Sequence, residues 1–254
     1  MIKFFRKIRQ KLLAENRFSK YLLYAIGEII LVVIGILIAL QINNWNQKRL
    51  DKKLEITMLQ EIKTSLESDL KSYEILELRI KMKQEGIQEL LQMIASKKTY
   101  PDSVLLKSYN KMSSGNNFHF NMGGYEGLRS VGLDKISNDS LRRELILIYE
   151  VDYPAVDAFL KSSDEANRNK DYKLNLHNAL WKHVQIQMPD ESYKIVSRPI
   201  NSEGFLQQPE LLDRIKVAQD NMNYKKFRLD YLKNIITFGI DLVNKELNNQ
   251  SGDK

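Results

Sequence analysis

The stretch Leu22 to Leu40, LLYAIGEIILVVIGILIAL, constrains this chain more than any other part of it. Thirteen of its 19 residues are Leu, Ile or Val, and one is charged. As a helix it rises roughly 28 Å, the thickness of a bilayer core. Each aliphatic side chain favours insertion by about 0.3–0.6 kcal/mol, against a cost of about 3 kcal/mol for one central carboxylate. The sum predicts a transmembrane helix over residues 21–43. Tyr21 and Tyr24 fall at one edge and Trp45 at the other, where aromatic belts form. The apolar run is too long for a cleaved signal peptide, and its exit, Ala39-Leu40-Gln41-Ile42-Asn43, offers no small-residue cleavage site. An uncleaved anchor is expected.

Flanking charge gives the orientation. Residues 1–20 carry seven Lys/Arg against the single acid Glu15, while Lys48, Arg49, Lys52 and Lys53 follow the span. The heavier basic flank belongs inside, which predicts a cytoplasmic N-terminus and a large domain on the far side. The same division disposes of the net charge of +7 as a sign of nucleic-acid binding, because residues 43–254 hold 32 basic and 30 acidic side chains. A nucleic-acid partner needs positive charge clustered where phosphates lie, so none is expected. Within residues 1–20, Ile2, Phe5, Ile8 and Leu12 share one helical face, with Lys3, Arg6, Lys7 and Lys11 largely elsewhere. This pattern predicts a surface helix whose four cations meet anionic lipid headgroups.

Glu28 is the one acid inside the span. With Val32, Gly35 and Ala39 it forms a stripe at spacings of four, three and four, all on one face. An intramembrane acid is costly to expose to lipid, and small residues let a second helix approach. The stripe predicts association with another membrane helix, either a second copy or a partner membrane protein.

Beyond the span the mean hydropathy of the whole chain, −0.41, leaves a polar remainder patterned as amphipathic helices. Leu59, Ile62, Leu66, Leu70, Tyr73, Leu76, Ile80, Ile87, Leu90 and Ile94 recur mostly at threes and fours, interrupted by Gly86 and ended by Tyr100-Pro101. This predicts a helix over 46–97. A second pattern runs from Asn138 to about Gln187, with Ser137 to Ser140 offering an N-cap and Pro154 a kink. A third covers about 209–248, with Pro209 in its first turn. Shorter helices are expected over 101–112 and from 123, separated by a turn at Gly115-Asn116-Asn117. Residues 188–208 read as a loop with a small hairpin near Tyr193 to Val196. The expected fold class is therefore all-α: one transmembrane helix, then a long antiparallel bundle of three long helices with short helices at the membrane-distal corner. The expected divisions are a basic segment 1–20, the span 21–43, the bundle 44–249 and a disordered tail 250–254.

Chemistry is sparse. Without cysteine there are no thiol nucleophiles, disulfides or Cys-based metal sites. No phosphate-binding loop, nucleophile elbow or His-Glu-x-x-His pattern occurs. His177 and His183, read as six apart on one helix, point about 240° apart and would not share a metal, and the packed sequence around His119 reads as a cap. Glu150 and Asp152 face different ways. No catalytic, cofactor or metal residues are expected, and no enzyme. Gly123, Gly124, Gly127 and Gly132 read first as a structural corner; the alternative is a recognition surface at the bundle tip with Tyr125, Arg129 and Arg142 as contacts.

Two segments together carry a resemblance. The opening, MIKFFRKIRQKLLAENRFSKYLLYAIGEIILVVIGILIALQINNWN, and the stretch YEGLRSVGLDKISNDSLRREL, with Leu-x-Ser-x-Gly and Ile-x-Asn-x-x-Leu-Arg, resemble a family of uncharacterised single-pass membrane proteins of Gram-negative bacteria, known as a domain of unknown function. The likeness covers residues 1–60 and 120–150 best. It implies an inner-membrane location with the bundle in the periplasm, and it supplies no activity. The expected function is a membrane-anchored scaffold or interaction module. The alternatives are a sensory module coupled to the membrane helix, which a buried polar pocket would favour, and, remotely, an enzyme with a site the sequence does not display.

Overall fold

The computed structural model describes residues 18–114, 118–163 and 177–252. The expected surface helix of residues 2–13, with Lys3, Arg6, Lys7 and Lys11, and the turn at Gly115 to Asn117 lie outside the described residues. The fold is essentially all-α with one small two-stranded sheet. The chain divides into two compact units, Met1–Glu55 and Ile56–Lys254. Helix α1 runs Phe18–Ser96 without a break. It stops where Lys97 takes a left-handed φ of 54° and Pro101 follows, as the Tyr100-Pro101 signal requires.

Among the described residues the second unit is built of four passes. Along α1, Leu59, Ile62, Leu66, Tyr73, Leu76, Ile87 and Leu90 are buried at the expected threes and fours. Helix α2, Asp102–Met112, turns back along it. Its Ser108 Oγ donates to Glu89 Oε2 at 2.6 Å, and a Cβ on Gly86 would lie 2.5 Å from the Met112 nitrogen. Gly86 is thus the place where two backbones cross too closely for any side chain. Helix α3, Gly123–Val131, continues in the same direction. Its Gly124 N–H donates to Ser65 Oγ at 3.1 Å, and a Cβ there would lie 2.7 Å from the Glu61 carbonyl.

The third pass runs parallel to α1. Helix α4, Asp139–Ile146, starts at Asn138, whose Oδ1 accepts from the Ser140 and Leu141 amides at 3.1 and 3.2 Å. A π turn, Leu147–Asp152, leads into α5, Tyr153–Ser163. Pro154 explains the widened turn: it has no N–H for the ladder, and its ring would strike the carbonyl one turn back. The fourth pass is α6, Pro209–Gly252, which runs antiparallel to both. Arg228 lies 5.5 Å over the Phe159 ring, Tyr231 donates to Asp152 at 2.7 Å, and Asn138 Nδ2 donates to Glu246 at 2.7 Å.

Three expectations need correction. First, α2 and α3 do not sit at a corner; they form a whole descending pass, because their buried Leu105, Tyr109, Met112, Tyr125 and Leu128 are split by breaks that hide the period. Second, the helix expected to reach Gln187 does not. Residues 177–180 are helical, and then Trp181–Gln187 forms strand β1, paired antiparallel with β2, Tyr193–Pro199. Trp181, 2 % exposed, pins the change, and the hairpin expected at Tyr193 to Val196 is the visible part of this longer one. Third, α6 continues to Gly252, beyond the expected end near 248.

Candidate functional site

The first unit presents its apolar helix outward. Ile29, Leu31, Val32, Ile36 and Leu37 are all more than half exposed, and a Cβ on Gly27 or Gly35 would meet nothing within 4 Å. Glu28 is half-buried, and Val32, Gly35 and Ala39 are exposed on the same face. Among the described residues this is the one helix long and apolar enough to cross a membrane, by length and composition.

In the second unit the polar centre is Asp69, which is 1 % exposed. Tyr153 donates to its Oδ2 at 2.9 Å and the Asn121 N–H to its Oδ1 at 2.8 Å. Burial pushes the Asp69 carboxyl above the usual carboxylate range, while these two donors pull it back. Tyr125 stacks on Tyr149 at 4.6 Å, Tyr149 packs edge-on to Tyr153, and Phe120 closes on Tyr153 at 4.2 Å. Burial raises all three tyrosine hydroxyls well above their ordinary value. The Tyr149 hydroxyl is buried without a hydrogen-bond partner. Both Asp69 oxygens are occupied by donors from its own unit, so the cluster locks three passes together. Asp69 also shows what the sequence reading missed. It falls in the phase of Ile62, Leu66, Tyr73 and Leu76, and the spacing alone marked it as an inward carboxylate.

The proposed recognition residues are placed differently from expectation. Tyr125 is 1 % exposed and donates to Glu150 Oε1 at 2.8 Å, so it is a core residue and not a surface contact. The close approach of Gly124 to α1 draws its ring inward. Arg129 is exposed; Arg142 pairs with Asp139 at 2.7 Å and donates to the Ile136 carbonyl. All three lie on the level of Glu61 and Ser65, at the end where Ile56 begins the unit, and not at the far tip. Glu150 and Asp152 do face apart, each serving a tyrosine of a different helix.

The far end holds two arrangements. A groove between α1 and α6 is lined by Tyr73, Glu77, Lys81, Lys83, Met222 and Asp230. Near the hairpin, the His177 and His183 rings lie 5.6 Å apart, tilted by 30°. The expectation that they diverge fails because the helix ends at residue 180 and the strand turns His183 back toward His177. Burial, then His183, holds the His177 imidazole below its usual range. Among the described residues no group of three potential metal ligands occurs.

No curated protein and no solved structure matches this chain. Residues 28–171 match the sequence profile of a family of unknown function, and this segment spans more than half of the chain, from Glu28 through the Asp69 cluster and the α3–α4 motif. Within the matched segment, Gly124 sets α3 against α1 and Asn138 caps α4. The chain belongs to DUF6090, a family of unknown function.

Proposed function

We propose that this protein is a single-pass membrane protein whose helical unit acts as an anchored scaffold or interaction module and not as an enzyme. The observation that carries the reading is the outward apolar surface of the Leu22 to Leu40 helix, with none of its apolar window buried. A surface of that kind in water is expensive, and lipid removes the cost. The N-terminus faces the cytoplasm and the unit from Ile56 lies in the periplasm of a Gram-negative cell, on the charge bias and the family resemblance. The membrane helix associates with a second copy or a partner helix through the face of Glu28, Val32, Gly35 and Ala39, and the basic Lys3, Arg6, Lys7 and Lys11 meet anionic lipid. What supports a non-catalytic role is that the carboxylates of the second unit's centre serve its tyrosines: Asp69 with Tyr153, Glu150 with Tyr125, Asp152 with Tyr231.

The test is extraction and protection. The full-length protein should stay with vesicles through an alkaline carbonate wash. A protease added from the periplasmic side should reach the second unit, and one added from the cytoplasmic side should not. Release into the wash, or digestion from the cytoplasmic side, overturns the reading.

A second reading, sensing, draws on the groove beside Tyr73. Its cations Lys81 and Lys83 and its acids Glu77 and Asp230 line an apolar floor. It is tested by screening charged small molecules for a shift in thermal unfolding that Lys81→Ala abolishes.

A further inference from the structure

His177 and His183 are two of the three histidines in this chain, and they meet across a change of secondary structure. Two imidazoles bound to one metal, with metal–nitrogen bonds of about 2.0–2.1 Å and the ring centre about 1.1 Å further on, put their centres about 4.5 Å apart at a square corner, about 5.1 Å at a tetrahedral one and about 5.5 Å at a trigonal one. The observed 5.6 Å matches the wide, trigonal end of that range. We propose that His177 and His183 form a two-histidine site for a divalent transition-metal ion of the copper, nickel and zinc class, open to water at its remaining positions.

Three observations build the site. His183 is exposed and His177 half-buried, so an ion has access from solvent. His183 Nδ1 lies 3.1 Å from Ser197 Oγ, its cross-strand partner in the β1–β2 register. With the Nδ1 proton donated to that oxygen, Nε2 keeps its lone pair free for a metal, which is the usual way a neighbouring acceptor orients a ligating imidazole. The Tyr109 ring, 6.3 Å from His177 and 5.2 Å from Trp181, backs the pair against the core and fixes the helical turn 177–180 relative to the strand. Ligand chemistry sets the class: neutral nitrogen donors suit borderline ions over calcium or magnesium, and copper binds tightest in that series. A bound ion would tie the turn 177–180 to the hairpin.

The experiment uses the full-length, tag-free protein in detergent, titrated with Cu²⁺ and followed by electron paramagnetic resonance, with Zn²⁺ as competitor. One equivalent of Cu²⁺ should show two equatorial nitrogens. His177→Gln and His183→Gln should each reduce this to one nitrogen and weaken binding by well over tenfold. Ser197→Ala should keep both nitrogens and weaken binding about tenfold. His119→Gln, which removes the remaining histidine, should change neither. His183 is exposed, so its variant keeps the test independent of folding, which circular dichroism checks. Fewer than two nitrogens in the parent protein, or a spectrum unmoved by either the His177 or the His183 change, overturns the site.

Discussion

Tyr153 donates its hydroxyl to Asp69 at 2.9 Å, joining the first residue of α5 to a carboxylate on α1 that is 1 % exposed. Tyr153→Phe removes one of two donors to a buried acceptor, so it should destabilise the second unit by about 1–3 kcal/mol. Chemical unfolding of the full-length protein in detergent measures this. An unchanged midpoint would show that the bond adds nothing.

Acid should separate two carboxylates of opposite sign. Asp69 has a raised folded pKa, so its contribution is fully present below the unfolded value of about 3.9 and is lost as pH rises through the folded value. Glu89 is held low, first by Lys111 and then by Ser108, so its contribution is present above about 4.3 and lost as pH falls through the folded value. Stability measured from about pH 3 to 7 should therefore lose a downward slope in Asp69→Asn and an upward one in Glu89→Gln. Parallel curves for both variants would contradict the assigned directions.

The two glycine crossings should not tolerate a methyl group. At Gly124 the added Cβ meets α1 backbone at 2.7 Å and at Gly86 it meets α2 backbone at 2.5 Å, so neither obstacle is a flexible side-chain end. Gly124→Ala and Gly86→Ala should each destabilise by about 1–3 kcal/mol. Gly35→Ala, where a Cβ meets nothing, should leave unfolding unchanged.

Much of this was legible beforehand, and what was not has physical causes. The long apolar helix segment, the rest of α1, α6 and the Asn138 cap carry strong local signals: apolar length, a sustained period, and a side chain that can accept from the next turn. The α2–α3 pass escaped because burial there is spread over two short helices, neither long enough to show a sustained period. The first strand of the hairpin escaped because the helical spacing of Leu180 and His183 runs straight through a strand start that a tertiary contact of Trp181 decides. The alternative of an outward-facing Tyr125 fails because the close approach of Gly124 to α1 brings that ring inside.

The Asn138 cap offers a clean local test. Asn138→Ala loses both the cap and the tie to Glu246 and should cost about 1–2 kcal/mol, whereas Asn138→Ser keeps an acceptor and should recover most of it. Thermal unfolding by circular dichroism distinguishes the two. Equal losses would place the effect in the Glu246 contact.

On the proposed association face, Glu28→Leu and Gly35→Leu should weaken self- or partner association about fivefold or more, an effect of about 1 kcal/mol or above. A membrane-helix association assay reads it, and no change in either variant would remove the interface.

An even number of passes has a mechanical consequence. Gly239 packs against Leu66 and Ile148, and Glu246 reaches Asn138, so the last turns of α6 return level with Ile56. A tension applied between Ile56 and the last turn of α6 therefore peels α6 away one helical turn at a time, rather than shearing whole helices past each other. The hairpin end lies outside the loaded path.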